Sequence, residues 1–248
     1  MADNKVLTET SAKEEGSQGI WGLVVNQDVC TGCQACVTAC AMENNIPWVG
    51  EDDAAYGRQM SWIRVERLWE GEYPEVTSTP FQPIMCQHCG KAPCEPVCPV
   101  FATVHSEAEQ INLQVYNRCV GTRYCGNNCP YVVRVFNWYD YQRPEPLNNQ
   151  LNPDVTVRRR GVMEKCSFCI QRIHRVEDSA KTEGREVYDG EVEPACVQAC
   201  PASALIFGRL DDPESKVSKL KKKDSAHTLL ESLGTEPRVT YLPGGSHG

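Results

Sequence analysis

Fifteen cysteines fall into four short groups, and that crowding constrains the chain more than any other feature of its 248 residues. The first group is Cys30, Cys33, Cys36 and Cys40. The second, Cys86, Cys89, Cys94 and Cys98, has a longer central gap and ends in Pro99. In the third, Cys119, Cys125 and Cys129 are followed by Pro130, and Thr122 stands where the spacing asks for another thiol. The fourth opens with Cys166 and Cys169, is stretched by 26 residues, and closes with Cys196, Cys200 and Pro201. The same motif therefore occurs four times, each time with a different irregularity.

This spacing is that of iron–sulfur cluster binding. Three cysteines on a tight loop wrap three corners of a cubane, backbone N–H groups point at the sulfurs, and the last cysteine leaves on a helix to ligate another cluster. Four motifs then imply two reciprocal pairs. Three sites of four ligands and one of three use every thiol and leave none over. Structural zinc needs closed sets of four ligands and does not account for three CxxxCP endings. Disulfides fit poorly with an odd count, and consecutive CxxC spacings would make strained local bridges. Thiolates held by iron also carry no information about the redox state of the compartment.

The rest of the composition excludes more than it selects. A formal charge of −8 argues against nucleic-acid binding, which needs a basic face. Hydrophobic residues make up 41%, enough for a modest core over one or two domains, to which cluster ligation adds cohesion. No stretch approaches the roughly 20 apolar residues of a bilayer span. Met1 to Gly19 has neither the apolar run of a signal peptide nor an Arg-Arg pair. Any membrane association must then come through a partner or a surface contact, and two options stand: the protein stays in the cytoplasm, or it folds there around its clusters and is exported attached to a partner that carries the signal. No nucleotide-binding glycine loop and no nucleophile–base constellation points to chemistry beyond redox.

Between the motifs the pattern reads as an α+β chain of two ferredoxin-like double-cluster units with peripheral hairpin and loop insertions. Ile20 to Gln27 reads as a strand leading into the first motif, and Ile111 to Tyr116 as one leading into the third, paired with Thr103 to His105 across the acidic turn Ser106 to Gln110. Ser61 to Leu68 alternates apolar and polar residues and is expected to pair with Glu75 to Thr79. Val37 to Glu43 is expected to be helical. Arg143 to Asp154 and Glu177 to Glu193 read as surface insertions. Pro213 to Leu233 reads as one amphipathic helix carrying Val217, Leu220, Leu229, Leu230 and Leu233, with Lys221 to Lys223 on its wet face. The implied organisation is a polar tail at 1–19, a first cluster pair at 20–60 with 160–210, an inserted hairpin at 61–85, a second pair at 86–142, a loop at 143–159, and a helix with a tail at 211–248.

The order of the four motifs, Thr122, and the segments RCVGTRYCGNNCPY and EKCSFCIQR resemble the four-cluster iron–sulfur (B-type) subunit of the complex iron–sulfur molybdoenzyme family, over residues 20 to about 241. The threonine looks most like versions in alternative complex III and the membrane quinone reductase complex. Polysulfide and dimethyl sulfoxide reductases share the motif order. The resemblance implies that the first motif pairs with the fourth and the second with the third. One [4Fe-4S] cluster would then be held by Cys30, Cys33, Cys36 and Cys200, a second by Cys40, Cys166, Cys169 and Cys196, and a third by Cys86, Cys89, Cys94 and Cys129. Cys98, Cys119 and Cys125 would hold a [3Fe-4S] cluster beside Thr122. Ala41 departs from the usual proline. The implied partners are an integral membrane quinone-binding subunit and a molybdopterin-oxidoreductase-like or cytochrome c subunit, with single electrons relayed between them. The alternative is the electron-transfer subunit of a catalytic molybdopterin reductase of an oxyanion or polysulfide. A freely diffusing ferredoxin-like carrier is a third reading, against which the inserts and the C-terminal extension speak.

Several other side chains have two readings each. His88 either donates to a cluster sulfur or simply packs. Lys165 and Arg123 either offset cluster charge or form ordinary salt bridges. Phe136, Trp138, Tyr139 and Tyr141 either line a partner interface or pack near the clusters.

Overall fold

Trp21–Asn26 (WGLVVN) buries its first five residues, as a strand covered on both faces must. In the computed structural model, which describes residues 19–106 and 109–243, it is the middle strand of a three-stranded sheet. Leu205–Arg209 runs antiparallel on one side, with Trp21 opposite Arg209 and Leu23 opposite Phe207. Val239–Leu242 runs parallel on the other, with Leu23 opposite Val239. The polar tail expected at 1–19 lies outside the described residues except for Gly19, as do two residues of the acidic turn, 107 and 108.

A second antiparallel pair joins Thr103–His105 to Asn112–Gln114, with Thr103 opposite Gln114. The two pairs are built alike. In each, a strand that leads into a cysteine motif (Trp21–Asn26 before Cys30, Asn112–Gln114 before Cys119) pairs with a strand that begins five residues after a Cys-Pro ending (Leu205 after Cys200, Thr103 after Cys98). One continuous core contains nine buried cysteines together with Trp21, Trp62, Met85, Phe168 and Tyr241.

Four expectations need correction. The inserted region has two tiers. Arg64–Arg67 pairs with Phe81–Ile84, whereas Glu75–Ser78 pairs with Glu70–Glu72. The tight turn at Tyr73 and Pro74 brings Glu72 opposite Glu75, which leaves the inner strand to find its partner further along the chain. The insertion after Cys169 does not begin as a loop: Ile170–Glu183 is a helix through Glu177, with Ile173 and Ala180 buried on one face and Gly184 closing it in the left-handed region. The expected C-terminal helix is only Lys216–Lys221. Ser215 caps it, accepting from the Ser218 N–H at 3.1 Å. Beyond it, His227 exchanges two backbone hydrogen bonds with Tyr241, which pulls the chain out of helical geometry and leaves Leu230 and Leu233 half exposed. Over its described residues, 211–243, the C-terminal segment is also more than a helix and tail. Its strand completes the central sheet, and on the way it crosses the second motif, where Gly90 and Lys91 donate to Glu236 and Thr235 and Arg238 donates to Gln87.

Candidate metal centres

Wrapping a compact ligand turns the backbone through the left-handed region, and the positions where this happens follow the motifs in phase. Gln34, just after Cys33, and Arg123, just after Thr122, have φ of 60° and 63° and each caps the N-terminus of a helix, Ala35–Glu43 and Tyr124–Asn127. His88 and Phe168 sit just before Cys89 and Cys169 with φ of 44° and 55°. The first and third motifs therefore share one loop, and the second and fourth share another. Gly32 and Gly121 also correspond, both at positive φ. At Gly121 a Cβ would lie 2.4 Å from the Gly161 carbonyl oxygen, so no other residue fits there. Three residues past the last cysteine, Phe101, Val132 and Ser203 repeat the left-handed turn. Only the first motif differs. With Ala41 in place of proline, the helix runs through Cys40 to Glu43, and the positive φ comes at Asn45.

Side chains gather as the loops dictate. Cys30, Cys33, Cys36 and Cys200 line one small cavity. Cys86, Cys89, Cys94 and Cys129 line another. Cys40 is surrounded by Cys166, Cys169 and Cys196: burial first, then the charge these three would carry, pushes its thiol well above the ordinary range. Asn44, four residues on from Cys40 along the helix, turns its amide toward the sulfurs of Cys40 and Cys169 at 3.6 and 3.7 Å. Cys98 and Cys125 both lie within reach of the Arg134 charge. Met163 donates its N–H to the Cys119 sulfur at 3.4 Å and sets its methyl against Gly126, beside Cys125. Thr122 is exposed.

These sets fit iron–sulfur clusters and little else. No cysteine is in a disulfide. Burial pushes Cys89 and Cys166 up to about 12 and Cys36 and Cys94 up to about 11, so deprotonated thiols there require a bound cation. Backbone N–H groups already point at sulfur: Ala102 to Cys98 at 3.1 Å, Ala204 to Cys200 at 3.3 Å and Phe168 to Cys166 at 3.4 Å. At Cys98 the N–H groups of Val100, Thr103 and Ala102 outweigh burial and pull the thiol down, and at exposed Cys33 the Ala35 N–H does the same. His88 is fully buried with neither ring nitrogen partnered by protein, as a donor to an inorganic sulfide would be. Its ring also stacks on Phe168 at 3.7 Å, as the packing reading expects.

The other candidates separate cleanly. Lys165 is buried beside Cys166 and donates to the carbonyls of Asn112 and Cys166. Arg123 faces rings instead, 5.1 Å from Phe136 and 4.7 Å from Trp138. Arg58 continues that stack over Trp138 and Tyr139. The four aromatics are half-buried or exposed; these two arginines line up Phe136, Trp138 and Tyr139, and Tyr141 meets Tyr139 edge-on. Sequence reasoning missed Asn44 and Arg134. The former was visible as the residue one helical turn past Cys40, the latter only as a lone cation after CPYVV.

The order of the sites follows from which sulfurs feel one another. Cys36 of the first set raises the cost of ionising Cys196, and Cys86 does the same to Cys166. Arg134 stands between Cys94, Cys86 and Cys129 on one side and Cys125 on the other. The sets thus run Cys30/33/36/200, Cys40/166/169/196, Cys86/89/94/129, Cys98/119/125. Every cysteine of the two middle sets is buried. The end sets open to the surface through Cys30, Cys33 and Cys200 and through Cys98 and Cys119. Among the described residues no helix is long and apolar enough to cross a membrane.

Residues 77–143 match a family described as the 4Fe-4S dicluster domain. The iron–sulfur cluster-binding subunit of a menaquinone reductase from Nitratidesulfovibrio vulgaris is 45% identical over 227 residues, covering 90% of this chain and 88% of that protein. The iron–sulfur subunit of a dimethyl sulfoxide reductase, so named provisionally, from Halobacterium salinarum is 40% identical over 236 residues, covering 90% and 79%. An iron–sulfur subunit of an Hdr-like menaquinol oxidoreductase from Archaeoglobus fulgidus is 34% identical, covering 95% and 87%.

Proposed function

This chain belongs to the iron–sulfur (B-type) subunits of the complex iron–sulfur molybdoenzyme family, and on that premise we propose that it relays single electrons between a membrane quinone site and a second redox partner through three [4Fe-4S] clusters and one [3Fe-4S] cluster. The observation that carries this reading is the burial gradient along the ordered sets. Two middle sites closed off from solvent, flanked by two that reach the surface, suit a conductor with a contact at each end. In this reading each bound cluster supplies a one-electron couple, and the chain excludes water from the middle pair and presents the outer pair to partners.

The ligand sets are those named above, with Cys98, Cys119 and Cys125 leaving the corner at Thr122 without a thiolate. Neutral oxygen is a poor ligand for iron beside three thiolates, which favours a three-iron centre there. The matched loops and strand pairs support two ferredoxin-like units, residues 20–60 with 160–210 and residues 86–142. Attachment to the membrane is peripheral in this reading, through a quinone-binding integral subunit on the periplasmic side. The relatives named as dimethyl sulfoxide and arsenate reductase subunits favour a second reading, in which the partner is a catalytic molybdopterin reductase.

Iron analysis and electron paramagnetic resonance of the oxidised chain, purified with whatever subunits accompany it, test both. About fifteen iron atoms and one three-iron signal are expected from the ligand sets. Half that iron, or stoichiometric zinc, would overturn the four-cluster model, and the identity of the copurifying chains decides between the two partners.

A further inference from the structure

Two arginines are buried among the described residues, and they are answered differently. Arg158 meets Glu164 at 2.8 Å with both side chains sealed from solvent. Among the described residues no carboxylate lies within ion-pair distance of Arg134. Its Nη1 donates to the Cys94 sulfur at 3.2 Å, and its Nη2 donates to Thr103 at 2.8 Å and to Gln114, the two residues that face each other across the Thr103–His105 hairpin. Lys165 is in the same position. It is 1% exposed, donates to the Asn112 and Cys166 carbonyls, and faces no carboxylate among the described residues. A buried cation without an anion is strongly unfavourable, so each needs a counter-charge that the side chains of aspartate and glutamate do not provide.

Sulfur provides it. The Arg134 guanidinium lies against the Cys94 sulfur in a cavity that Cys86, Cys89 and Cys129 also line. Lys165 is shared between sites, since it donates to the carbonyl of Cys166 on one side and to that of Asn112 on the other. Arg134 thus occupies the gap between the Cys86/89/94/129 set and the Cys98/119/125 set, and Lys165 the gap toward Cys40/166/169/196. The last of these sets is the structural mate of the first, with the same loop and complete burial, yet its own surroundings are different. Asn44 is neutral, and the Arg172 near Cys169 is already paired with Glu43 at 2.6 Å.

We propose that Arg134 is the fixed counter-cation of the centre held by Cys86, Cys89, Cys94 and Cys129, and that it sets the reduction potential of that centre above that of its mate at Cys40, Cys166, Cys169 and Cys196. Reduction adds one electron to an already anionic centre and breaks no bond, and a cation against a ligand sulfur favours the reduced state over the oxidised one. Arginine suits this task because it stays charged. The inference rests on the proposed ligand sets, whose failure would show first in the unmodified chain as missing iron or a missing centre.

The test is a redox titration of the full chain with its partners, followed by electron paramagnetic resonance. Arg134→Gln is expected to shift one four-iron centre downward, changing its oxidised-to-reduced ratio at fixed ambient potential by about tenfold, which is about 59 mV for one electron. Arg134→Lys is expected to restore most of that shift. If Arg134→Gln loses iron, Gln114→Glu decides, because it keeps the arginine and sets a carboxylate against Nη2; it too is expected to lower that centre. Unchanged midpoints in Arg134→Gln with full iron, equal shifts in the Gln and Lys variants, or no shift in Gln114→Glu would each overturn the proposal.

Discussion

Two groups of motifs, the first with the fourth and the third with the second, repeat one backbone pattern and fill it differently. Cys30, Cys33, Cys36 and Cys40 correspond position by position to Cys119, Thr122, Cys125 and Cys129, and Cys166, Cys169, Cys196 and Cys200 correspond to Cys86, Cys89, Cys94 and Cys98. His88 and Phe168, equivalent residues in the two groups, stack on each other where the groups meet. The plan is held by wrapping geometry, since left-handed turns recur in phase and a side chain at Gly121 would collide with the backbone. Individuality enters through side chains that the loop geometry leaves free. Thr122 replaces the equivalent of exposed Cys33, Ala41 lets one helix run on where Pro130 stops its counterpart, and the gap after Cys169 holds a 14-residue helix where the gap after Cys89 holds a short turn. Equal folds with unequal surroundings are what a graded series of electron carriers requires.

The correspondence breaks most severely at the buried middle. Cys196→Ser is expected to cost the chain about four iron atoms and much of its stability, because a fully buried ligand of the shared core has no substitute; iron analysis and thermal melting check it, and full iron content would refute the assignment. Next comes the buried ion pair. Arg158→Met leaves Glu164 charged and sealed, still held by the Trp62 and Asn137 side chains at 3.2 and 3.0 Å, and is expected to destabilise by roughly 3–5 kcal/mol in denaturant unfolding.

At the half-exposed end the effect should be narrower. Cys200→Ser is expected to remove the centre of the first motif while leaving that of Cys166, Cys169 and Cys196 intact. Spectra in which the fourth motif's own centre is lost instead would show that the last cysteines do not cross between motifs. The mildest change restores the symmetry of the two groups. Thr122→Cys places a thiol at the equivalent of Cys33, on the surface, with little expected effect on stability. The three-iron signal should give way to a four-iron one of lower potential, and quinone-linked turnover should slow.

Much of the site could be read without the structure because ligand spacing is local. A tight loop of CxxC type must bring its own thiols together, so the grouping of Cys30, Cys33 and Cys36 and the strands leading into Cys30 and Cys119 follow from a few consecutive residues, whereas only the family resemblance assigns Cys200 and Cys129 to the two cavities. The pairing of strands in the inserted region was not legible in that way. Arg64–Arg67 alternates acceptably against either of two partners, and only the turn at Tyr73 and Pro74 selects Phe81–Ile84. The C-terminal segment misled for a related reason. Its leucines have helical spacing beyond Leu220, but a strand partner across the sheet outweighs propensity once the chain passes Lys221.

By itself the sequence determined the class of chemistry: fifteen thiols in a repeating motif, with one more missing at Thr122, have the spacing of iron–sulfur ligation, because metal ligation is a matter of residue type and short-range reach. Only the tertiary structure decided the surroundings. Which sites are sealed and which open, that Lys165 is buried against the Asn112 carbonyl while Arg123 stacks on rings, and that Arg134 lies against the Cys94 sulfur are products of contacts between residues far apart in the chain. Burial and charge act through space, whereas a sequence records only neighbours along the backbone.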